Sequence, residues 1–189
     1  MVKYKELSQK EIKSRYANMY NRCYSKAYQE SRSWYKGCTV CEEWLDPEHG
    51  LDNFGQWCNE HYYIVEGEGT IELDKDIRIK GNRIYGPETC LFVPKAINCM
   101  FAGSSRKNER GLPTGVCYDS RRQLYYPMLI GLDGKPITDK EWYSTPEEAW
   151  DKYASFKKDY TDAVAQAYRS VIPNEVYEAI VRYQFSIDD

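Results

Sequence analysis

The chain has 189 residues, enough for one ordinary domain or two small ones. Hydrophobic residues make up 42% and charged ones 29%, a globular composition, and the net charge of −3 excludes a uniformly basic nucleic-acid binder. The opening Met1-Val2-Lys3-Tyr4-Lys5-Glu6 has no apolar signal core, and no run approaches the roughly 18 apolar residues of a membrane span, so the expected compartment is the cytoplasm.

The first element is a helix. Ser8-Gln9-Lys10-Glu11 has capping-box spacing, in which hydroxyl and carboxylate satisfy the helix's free N–H groups reciprocally. Ile12, Tyr16, Met19, Cys23 and Ala27 follow at spacings of three and four, on one face. Arg15 and Arg22 share a side, as residues seven apart do, and are candidate phosphate contacts. Cys38-Thr39-Val40-Cys41 is a C-x-x-C pair, and Cys23 and Cys90 could complete a structural zinc site. The competing reading is small buried thiols, since seven cysteines and no secretory signal argue against a disulfide framework.

Trp44, Leu45, Phe54 and Trp57, interrupted by Asp46-Pro47 and Gly50, suggest a loop and then a short helix over 52–62. Residues 70–77 alternate like a strand, Gly81-Asn82 and Gly86-Pro87 mark turns, and Cys90-Leu91-Phe92-Val93 reads as a second strand. Pro94 suits the first turn of a helix over 94–101.

The net charge conceals segregation. Residues 1–40 hold nine Lys/Arg against three Asp/Glu, whereas residues 41–74 hold ten Asp/Glu and no Lys/Arg. Residues 75–105 return to +3 and residues 106–189 to −2. Blocks of this kind either solvate a surface or steer a partner.

Residues 11–101 resemble phage and mobile-element proteins related to HNH endonucleases. The landmarks are Met19-Tyr20-Asn21-Arg22-Cys23-Tyr24, Tyr35-Lys36-Gly37-Cys38 through Trp44, and Asn53-Phe54. Leu73-Asp74-Lys75-Asp76, Gly81-Asn82, Tyr85-Gly86-Pro87-Glu88-Thr89-Cys90 and Ile97-Asn98 continue the series. The resemblance implies a strand–strand–helix unit in which a histidine activates water and Mg or Mn stabilises charge at the scissile phosphate. The catalytic candidates it implies are Asp74, Lys75, Asp76 and Asn98. The usual histidine is absent, since Asp74-Lys75 stands in its place and the two histidines are His49 and His61. That departure points to a catalytically degenerate scaffold.

Arg106 to Pro113 reads as a linker. Strands are expected at Thr114–Tyr118, Leu124–Ile130 and Ile137–Tyr143, with Asp133-Gly134 as a hairpin turn and Pro127 at an edge or bulge. Thr145-Pro146-Glu147-Glu148 caps a long helix, and Asn174 is expected to cap a last one. Gly115-Val116, Tyr125-Tyr126, Gly134-Lys135 and Trp142 through Ala149 resemble the ethylene-response-factor type of DNA-binding domain. That family places its exposed sheet face in the major groove. The resemblance implies DNA contacts at Arg121, Arg122 and Tyr125, with Lys135 and Lys140 on phosphates. Glu141 in place of the family's glycine, and Pro127, are departures.

The resulting expectation is an α+β chain: a degenerate HNH-like ββα module over 1–105, then a three-stranded antiparallel sheet packed on a long helix over 106–189. The expected function is phage-type reading of double-stranded DNA in a bacterial host cell. Two alternatives stay open. One is an active metal-dependent nickase; the other is a protein-binding inhibitor of a host defence factor, acting through the acidic 41–74 segment.

Overall fold

A computed structural model describes residues 1–101 and 111–187, so the expected module boundary and most of the expected linker lie outside the described residues. The fold is α+β, with helices and small, mostly antiparallel strand pairs. Strand β1 (Lys3–Tyr4) leads into α1 (Gln9–Tyr24) and α2 (Lys26–Ser31). Strand β2 (Thr39–Val40) precedes α3 (Glu42–Leu45), α4 (Gly50–His61) and β3 (Tyr63–Ile64). Then come β4 (Ile71–Asp74), β5 (Ile84–Tyr85), β6 (Leu91–Pro94) and α5 (Lys95–Phe101). The later part holds β7 (Val116–Asp119), β8 (Leu124–Pro127), β9 (Leu129–Ile130), β10 (Pro136–Ile137), α6 (Pro146–Tyr168) and α7 (Asn174–Arg182).

Both capping boxes form. Ser8 Oγ accepts from the Glu11 N–H while the Glu11 carboxylate accepts from the Ser8 N–H at 2.8 Å. Thr145 and Glu148 do the same at α6, with Pro146 in the first turn. At α7 the cap position falls on Pro173, and Asn174 is the first helical residue, its side chain donating to Glu178 at 2.7 Å.

Aromatic side chains interlock the core. Trp44, wholly buried, meets Phe54 edge-on at 5.0 Å and lies 5.2 Å from Trp57. Trp57 in turn contacts Phe92 of β6, against which Tyr62 packs at 89°. Such offset and edge-on contacts add to the stabilisation from burial itself. Tyr16 crosses from α1 and donates its hydroxyl to the Trp44 carbonyl at 2.6 Å. Val164, Ala165, Val176 and Ile180 of the last two helices, with Ile172 of the turn between them, belong to the same buried cluster, so α7 and the end of α6 close over the earlier strands. Arg78 reaches Glu175, and Tyr168 donates to Glu68, across the same junction.

β4 and β6 pair antiparallel in full register, from Ile71 opposite Pro94 to Asp74 opposite Leu91, and α5 begins at the next residue. This is a ββα unit, with residues 75–90 looping out between its strands. The expected strand over 70–77 stops at Asp74 because that carboxylate accepts the N–H groups of Asp76 (2.9 Å) and Ile77 (2.8 Å), bending the chain into a turn.

The second sheet is a broken three-strand meander. β7 pairs with β8 along its length, and Tyr143 pairs with Tyr125 through two backbone hydrogen bonds of 2.8 and 2.9 Å. Pro127 offers no N–H, and the Met128 N–H turns back to the Gly115 carbonyl at 2.8 Å, so the expected second strand divides into β8 and β9. β9 then forms its own hairpin with β10 around Gly134, whose φ of +76° suits glycine.

Candidate nucleic-acid interface

In the ββα unit the residues expected at a nuclease centre are each held by neighbours. Asn98 Nδ2 donates to Glu72 Oε2 at 2.9 Å, joining α5 to β4. Glu72 lies two residues before Asp74, on the same strand face, and is the partner that reading the strand from its end overlooked. Alternation back from Asp74 is the signal that finds it. Lys75 is buried and bonds Asp76 Oδ2 at 2.9 Å beneath the Tyr85 ring. Burial and the neighbouring Asp76 carboxylate push the Asp74 carboxyl up to about 7, against the two backbone N–H groups that favour its ionised form.

Of the residues expected to hold Mg or Mn, Asn98 turns its amide nitrogen to Glu72 rather than to either aspartate. Among the described residues no three His, Cys, Asp or Glu side chains are grouped so as to hold a metal ion. The histidines stand elsewhere. His61 stacks on Trp57 at 4.6 Å with Nδ1 2.8 Å from the Trp57 carbonyl, and His49 is exposed beside Glu48.

The cysteines of the expected zinc set are covered by the core. Cys23, Cys38 and Cys90 are buried and Cys41 is half-buried. Burial pushes the Cys23 thiol up to about 12 and raises Cys41 and Cys90 as well.

Arg15 and Arg22 turn inward. Arg15 Nη1 donates to the Ile71 carbonyl at 3.1 Å, its guanidinium 4.6 Å from the Tyr62 ring centre. Arg22 Nη1 reaches the Leu73 carbonyl and the Tyr85 hydroxyl, both at 3.4 Å. Two arginines seven apart on α1 therefore serve two carbonyls, two residues apart, on β4. These guanidinium groups clamp helix to strand.

The meander presents a different arrangement. Antiparallel pairing sets Cys117, Tyr126 and Trp142 in one row across three strands, and Tyr118, Tyr125 and Tyr143 in the neighbouring row on the opposite face. The second face is shared with Val116 and Pro127, both buried. Tyr125, the expected DNA contact, therefore shares the face of Val116 and Pro127 and is half-buried, its ring tilted against Tyr118 at 5.1 Å. Tyr126, also half-buried, lies on the opposite face beside the exposed Trp142, 5.0 Å away.

Arg122 completes this open face. Asp119 Oδ1 accepts the N–H groups of Arg121 and Arg122 at 2.8 and 3.0 Å, which folds the β7–β8 turn. Its other oxygen holds Arg122 Nη1 at 3.0 Å, and the guanidinium lies over the Trp142 ring at 4.4 Å. The plane of the guanidinium is thus fixed from one side by a carboxylate and from below by an indole. Arg121, Lys135 and Lys140 are exposed; Lys135 lies 3.6 Å from Asp133, and Lys140 occupies a left-handed turn at φ 63°.

No protein-family model, curated protein or solved structure matches the chain. No helix among the described residues is long and apolar enough to cross a membrane.

Proposed function

We propose that the chain binds double-stranded DNA through the open face of its β7–β8–Tyr143 sheet, on a phage-type scaffold related to HNH endonucleases and without their hydrolytic activity. The observation that carries this reading is the Arg122 guanidinium seated on Trp142 beside Tyr126. An arginine held planar keeps its outward N–H groups in the fork that matches a guanine edge or a phosphate. A narrow antiparallel ribbon has the width of the major groove, and Arg121, Lys135 and Lys140 supply charge for the backbone. The reading places the protein in the cytoplasm of a bacterial host.

Loss of hydrolysis is supported by the ββα unit. The position of the general base carries Asp74-Lys75, with Lys75 bound to Asp76, and the helix amide is bound to Glu72. The test is a gel shift with random duplex fragments, run beside incubation of supercoiled plasmid with Mg²⁺ or Mn²⁺. Retarded duplex with intact plasmid is the expected result. Nicking that Asp74→Ala abolishes would establish the active endonuclease instead.

A second reading rests on one further observation. Glu42, Glu43, Asp46, Glu48 and Asp52 are all exposed on α3, the start of α4 and the loop between them, in a segment without Lys or Arg. This acidic surface suits a basic protein partner, such as a host factor that itself binds DNA. Duplex affinity insensitive to salt or absent would favour it.

A further inference from the structure

A second surface, remote in sequence from the sheet face, combines exposed rings with cations. Between α2 and β2 the chain forms a single 3-10 turn, Ser33–Tyr35, which leaves Trp34 53% exposed. Trp34 and Tyr35 lie 6.0 Å apart, and Tyr35 contacts Tyr28 at 5.8 Å. Arg32 sits over Tyr28 at 4.6 Å. Arg83, just before the strand paired with β2, donates to the Lys36 carbonyl at 2.7 Å, which fixes the turn from below. Arg32, Lys36 and Arg83 are exposed, and Glu30 is the sole acidic residue between 12 and 41.

A lone exposed ring needs no partner, but here the exposed indole adjoins two further rings and exposed cations. The charge around it is positive, so the partner is anionic. An exposed indole among cations, backed by two half-buried tyrosines, fits unpaired bases joined by phosphates; a duplex keeps its bases stacked inside and offers it no such face. The half-buried Arg22 guanidinium lies 5.3 Å from the Tyr35 ring and bonds the Leu73 carbonyl, so this platform borders the end of β4 in the ββα unit.

We infer that the Tyr28–Trp34–Tyr35 platform, with Arg32 and Lys36, binds single-stranded nucleic acid. The inference stands apart from the duplex-binding face and does not depend on it.

The test is fluorescence anisotropy of a labelled twelve-base oligothymidylate with the full chain, beside a labelled duplex. Trp34→Ala removes a stacking surface and should weaken single-strand binding roughly tenfold. Arg32→Glu with Lys36→Glu should weaken it further and flatten its salt dependence. Duplex affinity should stay within about twofold in both variants. Because the substituted side chains are exposed, far-ultraviolet circular dichroism should match the parent. No oligothymidylate binding by the parent, or equal binding by parent and both variants, would overturn the inference. Equal losses on single strand and duplex would overturn it too, whereas loss of duplex binding in Arg122→Ala alone bears on the sheet face.

Discussion

Gly115 seats the second sheet on α6, and replacing it offers a prediction whose size follows from geometry. Its φ is +81°, and a Cβ built there would stand 2.1 Å from Cε2 of Tyr153, with two further ring atoms at 2.3 Å. Alanine in the left-handed region costs about 1–2 kcal/mol. Overpacking against a buried ring adds about 1–3 kcal/mol, because Tyr153 is 6% exposed and has little room to move. Gly115→Ala should therefore lose about 2–5 kcal/mol. Gly134→Ala is the control: its φ is +76°, yet nothing lies within 4 Å of its Cβ, so only the backbone cost of about 1–2 kcal/mol applies. Urea titration of both variants measures the difference, and Tyr153→Leu should shrink it in a double-mutant cycle. Equal losses in the two glycine variants, within about 0.5 kcal/mol, would refute the reasoning.

Other expectations follow from the same contacts. Hydrogen bonds from the Ser8 hydroxyl and N–H, with Lys5, hold the Glu11 carboxyl down at about 2, so its contribution is full above the ordinary 4.5 and lost as pH falls towards 2; Glu11→Gln should flatten that part of a pH–stability curve. Asp74 behaves oppositely. Its raised carboxyl makes the folded state lose stability as pH climbs from the ordinary 3.8 to about 7, a slope that Asp74→Asn should abolish. Asp74→Ala should cost about 1–3 kcal/mol in urea titrations, since two backbone N–H groups lose their acceptor. Arg15→Met and Arg22→Met should each cost about 1–3 kcal/mol through the stranded β4 carbonyls, yet leave duplex affinity unchanged in anisotropy titrations.

Local chemistry was legible in the sequence; long-range pairing was not. The Ser8 and Thr145 capping boxes, the Asp133-Gly134 turn and the strand–strand–helix order from 71 to 101 each depend on residues a few positions apart, and all form. The targets of Arg15 and Arg22 lie 56 and 51 residues downstream, and no periodicity on α1 announces them. The face of Tyr125 depended on register, because a strand side chain changes sides with each residue. Only the pairing of Val116 with Pro127 sets Tyr125 on the face of those two buried residues and Tyr126 on the other. Asn98 was named as a helix ligand of the expected nuclease centre; its bond to Glu72 required knowing where β4 ends.

The central claim concerns Arg122, and one titration tests it most directly. Duplex affinity is measured across a salt series for the parent, Arg122→Ala and Arg182→Ala, the last removing an exposed cation of α7 paired with Glu178. Arg122→Ala should weaken binding by about 1–3 kcal/mol and reduce the slope of log K against log salt by about one, while Arg182→Ala matches the parent. Indistinguishable curves for the parent and Arg122→Ala would contradict the claim that this sheet face reads DNA.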